Sequence, residues 1–405
     1  MPERFDPSEA THLPTSSDAA PAGSASAGPP ADPPPPSRRI ALGIMGGFAV
    51  LAGLGTLLGG DLLNPPATTA DGDYEGETLE FLIPIAEGGG TDTWARFVGT
   101  ELVKVVPGHP GFAPRNEAGG EGITGTNHFA LSARPDGTEV LVSAATTVVP
   151  YLLKRHVVKY DYTTMQPILA NGTGAVVYAR LAAGVRGLRD LVDRSKPLRF
   201  GGITATGLDL TTLLAFDLLD MDVEAIFGFE GRGPVNLALQ RGEIDIDYST
   251  TSTYPSAVAG LVKDKTAVPL FSLGQVDERG NLVRDPNFED LPTVVEAYTQ
   301  IHGGRPDPQK LAAYRAVLGV TYTYQKDLWV PGETPAAAIE LLRRSAEKLG
   351  ADPNFVKSAK KVLGGYPLDA AGDLRARMQK AYTVDDALRE RIVTFLKSTY
   401  NVTID

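Results

Sequence analysis

Residues 83–96 read IPIAEGGGTDTWAR: an apolar strand end, a proline, three consecutive glycines, and then the first turns of an amphipathic helix. Glycine has no Cβ, so this loop can take positive φ and let a ligand approach its backbone. The unpaired N–H groups of the helix's first turn, at the positive end of its dipole, form a surface suited to an anion. The same glycines would also serve a tight strand-to-helix connection with no ligand, so the rest of the chain has to decide between the two.

Outward from this stretch, short β-rich runs alternate with helical ones. LEFLIPI is followed by TDTWARFVGTELVKVV, EVLVSAA by a turn and a helix, and LRFGGI by LDLTTLLAFDLLDM; EAIFGF, GPVNLALQRGE, IDIDYS and AVPLFSLG continue the pattern. Strands alternating with helices imply βαβ units and a mainly parallel sheet. In such sheets ligands bind beyond the carboxyl ends of the strands, at helix N-termini. The C-terminal third reads as largely helical, with PAAAIELLRRSAEKLG and ALRERIVTFLKSTY carrying apolar stripes at helical spacing.

The N-terminal region has a different character. Residues 1–39 are rich in Pro, Ala and Ser and lack apolar periodicity, so they are expected to be disordered. Arg38 and Arg39 precede residues 40–60, a run of 21 residues without a charge, about the length that crosses a hydrocarbon core of ~30 Å. Arginines on the N-terminal side against Asp61 on the other place the following chain outside the cytoplasm. Residues 40–60 are therefore expected to act as an export signal or as a retained membrane anchor, and the protein to be extracytoplasmic. With no cysteine, lipid attachment at a cysteine and disulfide chemistry are both excluded. Residues 1–70 carry three basic and six acidic side chains, so of the formal charge of −11 the remaining 335 residues hold −8. That balance argues against nucleic acid as a partner.

Taken in order, these segments resemble the extracytoplasmic solute receptors of tripartite tricarboxylate transporters, the Bug receptors. IPIAEGGGTDTWAR is similar to that family's apolar strand, proline, Gly-Gly and acid near a helix start. RNEAGGEGITGTNHFALSARPDGTEVLVS, FGFEGRGPVNLALQRGEIDIDYS and DLPTVVEA are similar to three further family segments, in the same order. The resemblance implies an α/β, type II periplasmic-binding-protein fold: two α/β lobes with an interlobe cleft and a helical C-terminal third. One lobe would hold residues 71–175 and 274–405, the other residues 176–273. It implies a monomeric receptor that captures a small organic carboxylate and delivers it to integral-membrane transporter subunits, with no cofactor and no metal. By position, the ligand would be held by Gly88, Gly89, Gly90, Thr91 and Asp92, by Ser143, Ala144, Thr146 and Thr147, and by Thr204, Ala205, Thr206 and Gly207. Ser249 and Thr250 are additions to that list, and Arg232 could offset ligand charge.

Backbone amides and short hydroxyls are indeed donors that suit a carboxylate, each charge-assisted bond contributing about 1.5–3 kcal/mol. The chain departs from the family pattern in having Glu87 where proline is usual, GITATGLDL in place of a serine-glycine loop, and an added run PQKLAAYRAVLG within residues 301–329. An enzyme is poorly supported: His12, His109, His128, His156 and His302 lack metal-ligand spacing, and neither a GxSxG elbow nor a phosphate loop is present. GEGITG at residues 120–125 spells a dinucleotide fingerprint but follows proline-interrupted sequence rather than a clear buried strand. The remaining alternative is a membrane-anchored sensory or scaffolding module built on the receptor fold.

Overall fold

The computed structural model describes residues 73–277 and 279–405; the expected tail and the apolar segment 40–60 lie outside the described residues. Among the described residues no helix is long and apolar enough to cross a membrane.

The described residues form thirteen strands: β1 Thr78–Ile83, β2 Gly111–Asn116, β3 Glu139–Ala144, β4 Gln166–Asn171, β5 Ala175–Arg180, β6 Leu198–Gly201, β7 Val223–Ile226, β8 Ile246–Thr250, β9 Ala267–Ser272, β10 Gln275–Val276, β11 Leu282–Val283, β12 Lys326–Val330 and β13 Leu368–Asp369. They make a six-stranded sheet in the order β13-β4-β12-β3-β1-β2, a five-stranded sheet in the order β7-β6-β8-β5-β9, and a small β10-β11 ribbon. The expectation of mainly parallel sheets is corrected. β1 pairs parallel with β2 and β3, and β6 with β7 and β8, whereas β12 runs antiparallel to both β3 and β4, and β5 antiparallel to β8 and β9. β5 follows β4 directly out of the first sheet, β12 follows the helix Pro308–Leu318 and residues 319–325, and the edge strand β13 also runs antiparallel to β4.

The strands alternate faces as the period of two requires. Leu79, Phe81, Ile83, Val140 and Val142 pack into one cluster, while Leu82 and Leu141 point into another on the opposite face. In the second sheet Ala175, Val177 and Ala179 face one cluster and Tyr178 the other. With both faces covered, the central strands read as nearly continuous apolar runs. Tyr314 and Leu318 from helix Pro308–Leu318 and Ile392 and Leu396 from helix Asp386–Tyr400 are buried in the second sheet's main cluster. The added run PQKLAAYRAVLG is thus a core helix, and these parts of 274–405 share a cluster with the second sheet.

Two crossing segments tie the sheets together. β4 passes into β5 through residues 172–174, and residues 323–325 lead into β12; Thr173 N–H donates to the Tyr322 carbonyl at 2.8 Å, and Gln325 N–H to that of Asn171 at 3.2 Å. The carboxyl ends of β1, β3, β6 and β8 therefore face the space between the sheets.

Candidate ligand site

Three strand-to-helix loops project from the first sheet toward that space. β1 leads through residues 84–89 into α1, Gly90–Leu102; β2 leads into α2, Ile123–Ser132; β3 leads directly into α3, Ala145–Leu152. The segment GFAPRN, read as interrupted sequence, is the edge strand β2. Proline is tolerated there because an edge strand leaves one set of N–H positions unpaired. The glycines that follow serve packing. Gly122 has φ of 93°, and a Cβ on it would stand 2.8 Å from the Thr147 methyl and 3.0 Å from the Pro84 carbonyl oxygen. The three loops are thereby held against one another.

Residues 88–92 are braced from within. The Asp92 carboxylate accepts from Gly88 N–H at 2.9 Å, from Asn116 Nδ2 at 2.8 Å and from Arg96 Nε at 2.9 Å. Burial alone would push this carboxyl up, but those three bonds outweigh it and hold it below the ordinary aspartate value. Asp92, expected to touch ligand, is thus committed to the loop. The N-cap of α1 is Gly89, without a side-chain cap, so Gly90 and Thr91 begin a helix whose first amides carry no side-chain bond. Glu87 turns outward, 77% exposed, 3.6 Å from Arg96.

A second aspartate plays the same part on the second sheet. Asp209 opens α4, Asp209–Leu218; its Oδ2 accepts from Ile203 N–H at 2.5 Å and Thr204 N–H at 3.1 Å, and its Oδ1 from the Tyr248 hydroxyl at 2.7 Å. Sequence reading did not single out Asp209, though an acid in the first helical turn after a glycine-rich loop is the signal Asp92 shares. Arg232, at the start of α5, Arg232–Arg241, backs this arrangement instead of facing solvent. It lies 2.9 Å from Asp247 and 3.5 Å from Asp209, donates to the Gly201 carbonyl at 2.9 Å and stacks over the Tyr248 ring at 4.4 Å. Asp247 is pushed up to about 6 by burial, with Arg232 acting in the opposite direction.

The two sides meet at residues 204–207. Thr206 Oγ1 donates to Glu121 Oε2 at 3.1 Å, and a Cβ on Gly207 would stand 3.6 Å from the Thr146 methyl. Thr204 and Thr206 hydroxyls lie 3.0 Å apart, and Ala205 is buried beside them in the second sheet's core. Thr146 Oγ1 is buried with no hydrogen-bond partner among the described residues. Its neighbours on the same loop are occupied: Ser143 lies between Asp327, 2.9 Å away, and the Trp329 indole N–H at 2.9 Å, while Thr147 bonds the Tyr162 hydroxyl at 2.7 Å. Ala144 is the uncapped N-cap of α3. Ser249 and Thr250 hydroxyls bond Thr253 at 2.9 and 3.0 Å, closing the end of β8 on itself.

One cation at this edge was not anticipated. Lys326 begins β12, directly opposite Ala144 on one side and Asn171 on the other. It shares a face with Leu328, Val142 and Trp94, and Trp94 donates its indole N–H to Asn171 at 3.0 Å. Thr91 lies one turn before Trp94, so the open start of α1 is on the side of the sheet that carries Lys326. Lys326 is half-buried, has no hydrogen-bonding or ionic partner among the described residues, and is pushed down by burial to about 8. An unpaired lysine is a tertiary property, invisible in QKDLW. Among the described residues no group of three or more His, Cys, Asp or Glu is placed to hold a metal ion.

No family model and no curated protein sequence matches the chain. Solved structures do. A TctC solute binding protein from Polaromonas superposes with a TM-score of 0.58 at 18% identity, covering 79% of this chain and 99% of that one. The chain has the periplasmic-binding-protein fold. The periplasmic binding protein BugD matches at a TM-score of 0.55 and 20% identity over 80% of this chain and 98% of its own. MatC of Rhodopseudomonas palustris, solved with malate bound, matches at 0.53 and 19% over 80% and 99%. An R. palustris protein solved with adipate matches at 0.56 and 17% over 81% and 99%.

Proposed function

We propose that the protein is an extracytoplasmic solute-binding receptor that closes its two halves over a small organic carboxylate and delivers it to a membrane transporter. It acts by binding and hinge motion, without catalysis. The observation that carries this reading is the buried, unpartnered hydroxyl of Thr146, set against the 204–207 loop of the opposite sheet. A buried polar group without a partner is costly, and a carboxylate seated between the loops would satisfy it. The uncapped starts of α1 and α3 offer further amide donors, and Lys326 supplies a full positive charge.

The ligand group in this reading consists of Gly89, Gly90, Thr91, Thr146, Thr204, Thr206 and Lys326, with Asp92, Asp209 and Arg232 as the supports that hold the loops. The malate and adipate seen in two structures of the same fold suit this donor set. The first lobe would carry β1–β4, β12 and β13 and the second β5–β9 together with helices Val294–His302, Pro308–Leu318 and Asp386–Tyr400, whose buried residues join the second sheet's cluster. Calorimetric titration of the full-length protein with mono-, di- and tricarboxylates, amino acids and nicotinamide cofactors tests the proposal. A carboxylate bound at micromolar Kd, about 8 kcal/mol, and weakened at least tenfold by Thr146→Val is the expected result. Binding of cofactors alone, or of no carboxylate, overturns it.

A further inference from the structure

At the far end of β12 and β4 from Lys326, beyond Val330 and before Gln166, a cavity of about 570 Å³ opens between helix Ala336–Ala351 and the start of helix Leu374–Ala381. Residues 326–332 run roughly 20 Å at the rise of a strand, so this cavity is separate from the space between the sheets. Arg343 and Arg375 both line it. Arg343 Nε donates to the Pro167 carbonyl at 2.8 Å, which fixes the guanidinium, but its Nη2 is buried without a partner among the described residues. Arg375 Nε is likewise buried and unpartnered, and so is the hydroxyl of Thr334, a residue 5% exposed on the same wall. The two acids of the lining, Glu340 and Glu347, stand on the exposed rim, and Glu340 is 3.6 Å from Arg344.

Two guanidinium groups facing one cavity without an acid between them repel each other. Burial and the charge of Arg375 both hold Arg343 below its ordinary value. Neither guanidinium is paired with an acid among the described residues, and packing alone gives no reason to leave three buried donors unsatisfied around an open cavity. The planar guanidinium fork is suited to two oxygens of one anion, and the Thr334 hydroxyl can donate to a third.

The geometry points to a second anion site, in which Arg343, Arg375 and Thr334 bind a small oxyanion of the phosphate or carboxylate class independently of the solute between the lobes. The test is calorimetric titration of the full-length protein with inorganic phosphate and, separately, with citrate, at fixed ionic strength set by sodium chloride. At least one of the two should bind saturably to wild type and to Lys326→Met alike, and Arg375→Met should weaken that binding about tenfold or more, the size of one lost charge-assisted bond. Arg375→Met should also keep or raise the thermal midpoint without added anion, because it removes the repulsion. A purely structural arginine would lower it. Absence of phosphate and citrate binding, or undiminished binding to a folded Arg375→Met, overturns the site. Loss of binding in Lys326→Met with retention in Arg375→Met would assign the anion to the space between the lobes and overturn it as well.

Discussion

Thr206, on the loop after β6, donates its hydroxyl at 3.1 Å to Glu121, on the loop after β2, so a single hydrogen bond joins loops carried by different sheets. Glu121 holds this position at φ of 61°, among three glycines that also have positive φ, Gly119, Gly120 and Gly122. A non-glycine residue in that region is strained by about 1 kcal/mol or more, and the bond to Thr206 offsets part of the cost only while the halves are together. Thr206→Val should therefore shift the ligand-free protein toward an open arrangement by about fivefold, equivalent to roughly 1 kcal/mol for one partly exposed bond. Small-angle scattering would register this as a larger radius of gyration that returns to the wild-type value with saturating ligand; an unchanged radius would mean that the contact does not bias closure.

Asp92→Ala should cost stability as well as affinity. The substitution leaves Gly88 N–H and Asn116 Nδ2 without their acceptor and Arg96 without its closest acid, at a residue only 3% exposed. Arg96 is 38% exposed and remains solvated, so the cost falls below that of a fully buried pair, at about 2–3 kcal/mol. Urea unfolding would show a lower midpoint at unchanged slope. Asp92→Asn should recover part of the loss, since an amide oxygen can still accept from Gly88.

The pH dependence of stability should carry two opposite contributions. Asp92 lies below its ordinary value in the folded state, so its stabilisation is present above the unfolded pKa near ~4 and is lost as pH falls through the lower folded one. Asp327 is the reverse. Burial pushes it up to about 7, despite bonds from Tyr382 and Ser143, and its Oδ1 is buried without a partner. The folded state then holds a proton that the unfolded state has released, so stability declines as pH rises from ~4 to about 7 and levels off above. The decline is on the order of a few kcal/mol. Asp327→Asn should flatten this limb, making the variant more stable than wild type at pH 8 and close to it at pH 5 by urea unfolding. A variant that keeps the wild-type slope would show that another group is responsible.

How much of this could be read from the chain follows from which properties are local. The glycines of IPIAEGGGTDTWAR and the helix start after them are local, and they correctly located a loop at a strand end with an uncapped helix. The strand at residues 111–116 was missed because Pro114 argues against a strand unless the strand is known to be at an edge, which is a fact about the whole sheet. A hydroxyl's partner is equally non-local. Ser143 and Thr146 look alike in EVLVSAATT, yet Ser143 faces Asp327 and Trp329 on the core side while the Thr146 hydroxyl has no partner among the described residues. Asp92 was recognised as important at its position, but whether it touches ligand or holds the loop depends on Asn116 and Arg96 arriving from elsewhere. Lys326, Arg343 and Arg375 are not distinguished by sequence because lysines and arginines are ordinarily exposed or paired, and only the assembled fold leaves them half-buried and unpaired with an acid among the described residues.

Arg232 separates the two roles most sharply. Placed in GFEGRGP, it could be a cation for the ligand; in the fold it lies between the carboxylates of Asp209 and Asp247, with its guanidinium over Tyr248. Arg232→Met keeps much of the apolar stem but leaves Asp247 and Asp209, 0% and 2% exposed, without their cation. Breaking a buried pair from one side costs about 3–5 kcal/mol, and the loss should appear in urea unfolding. Adding Asp247→Asn to Arg232→Met should restore part of it, because the remaining carboxylate no longer has to be buried unpaired; the coupling between the two substitutions should be about 1–3 kcal/mol. Solute affinity of the folded Arg232→Met protein should stay within about threefold of wild type, since positioning of residues 203–204 is retained through Asp209 and Tyr248. A hundredfold loss of affinity with little loss of stability would instead place Arg232 on the ligand.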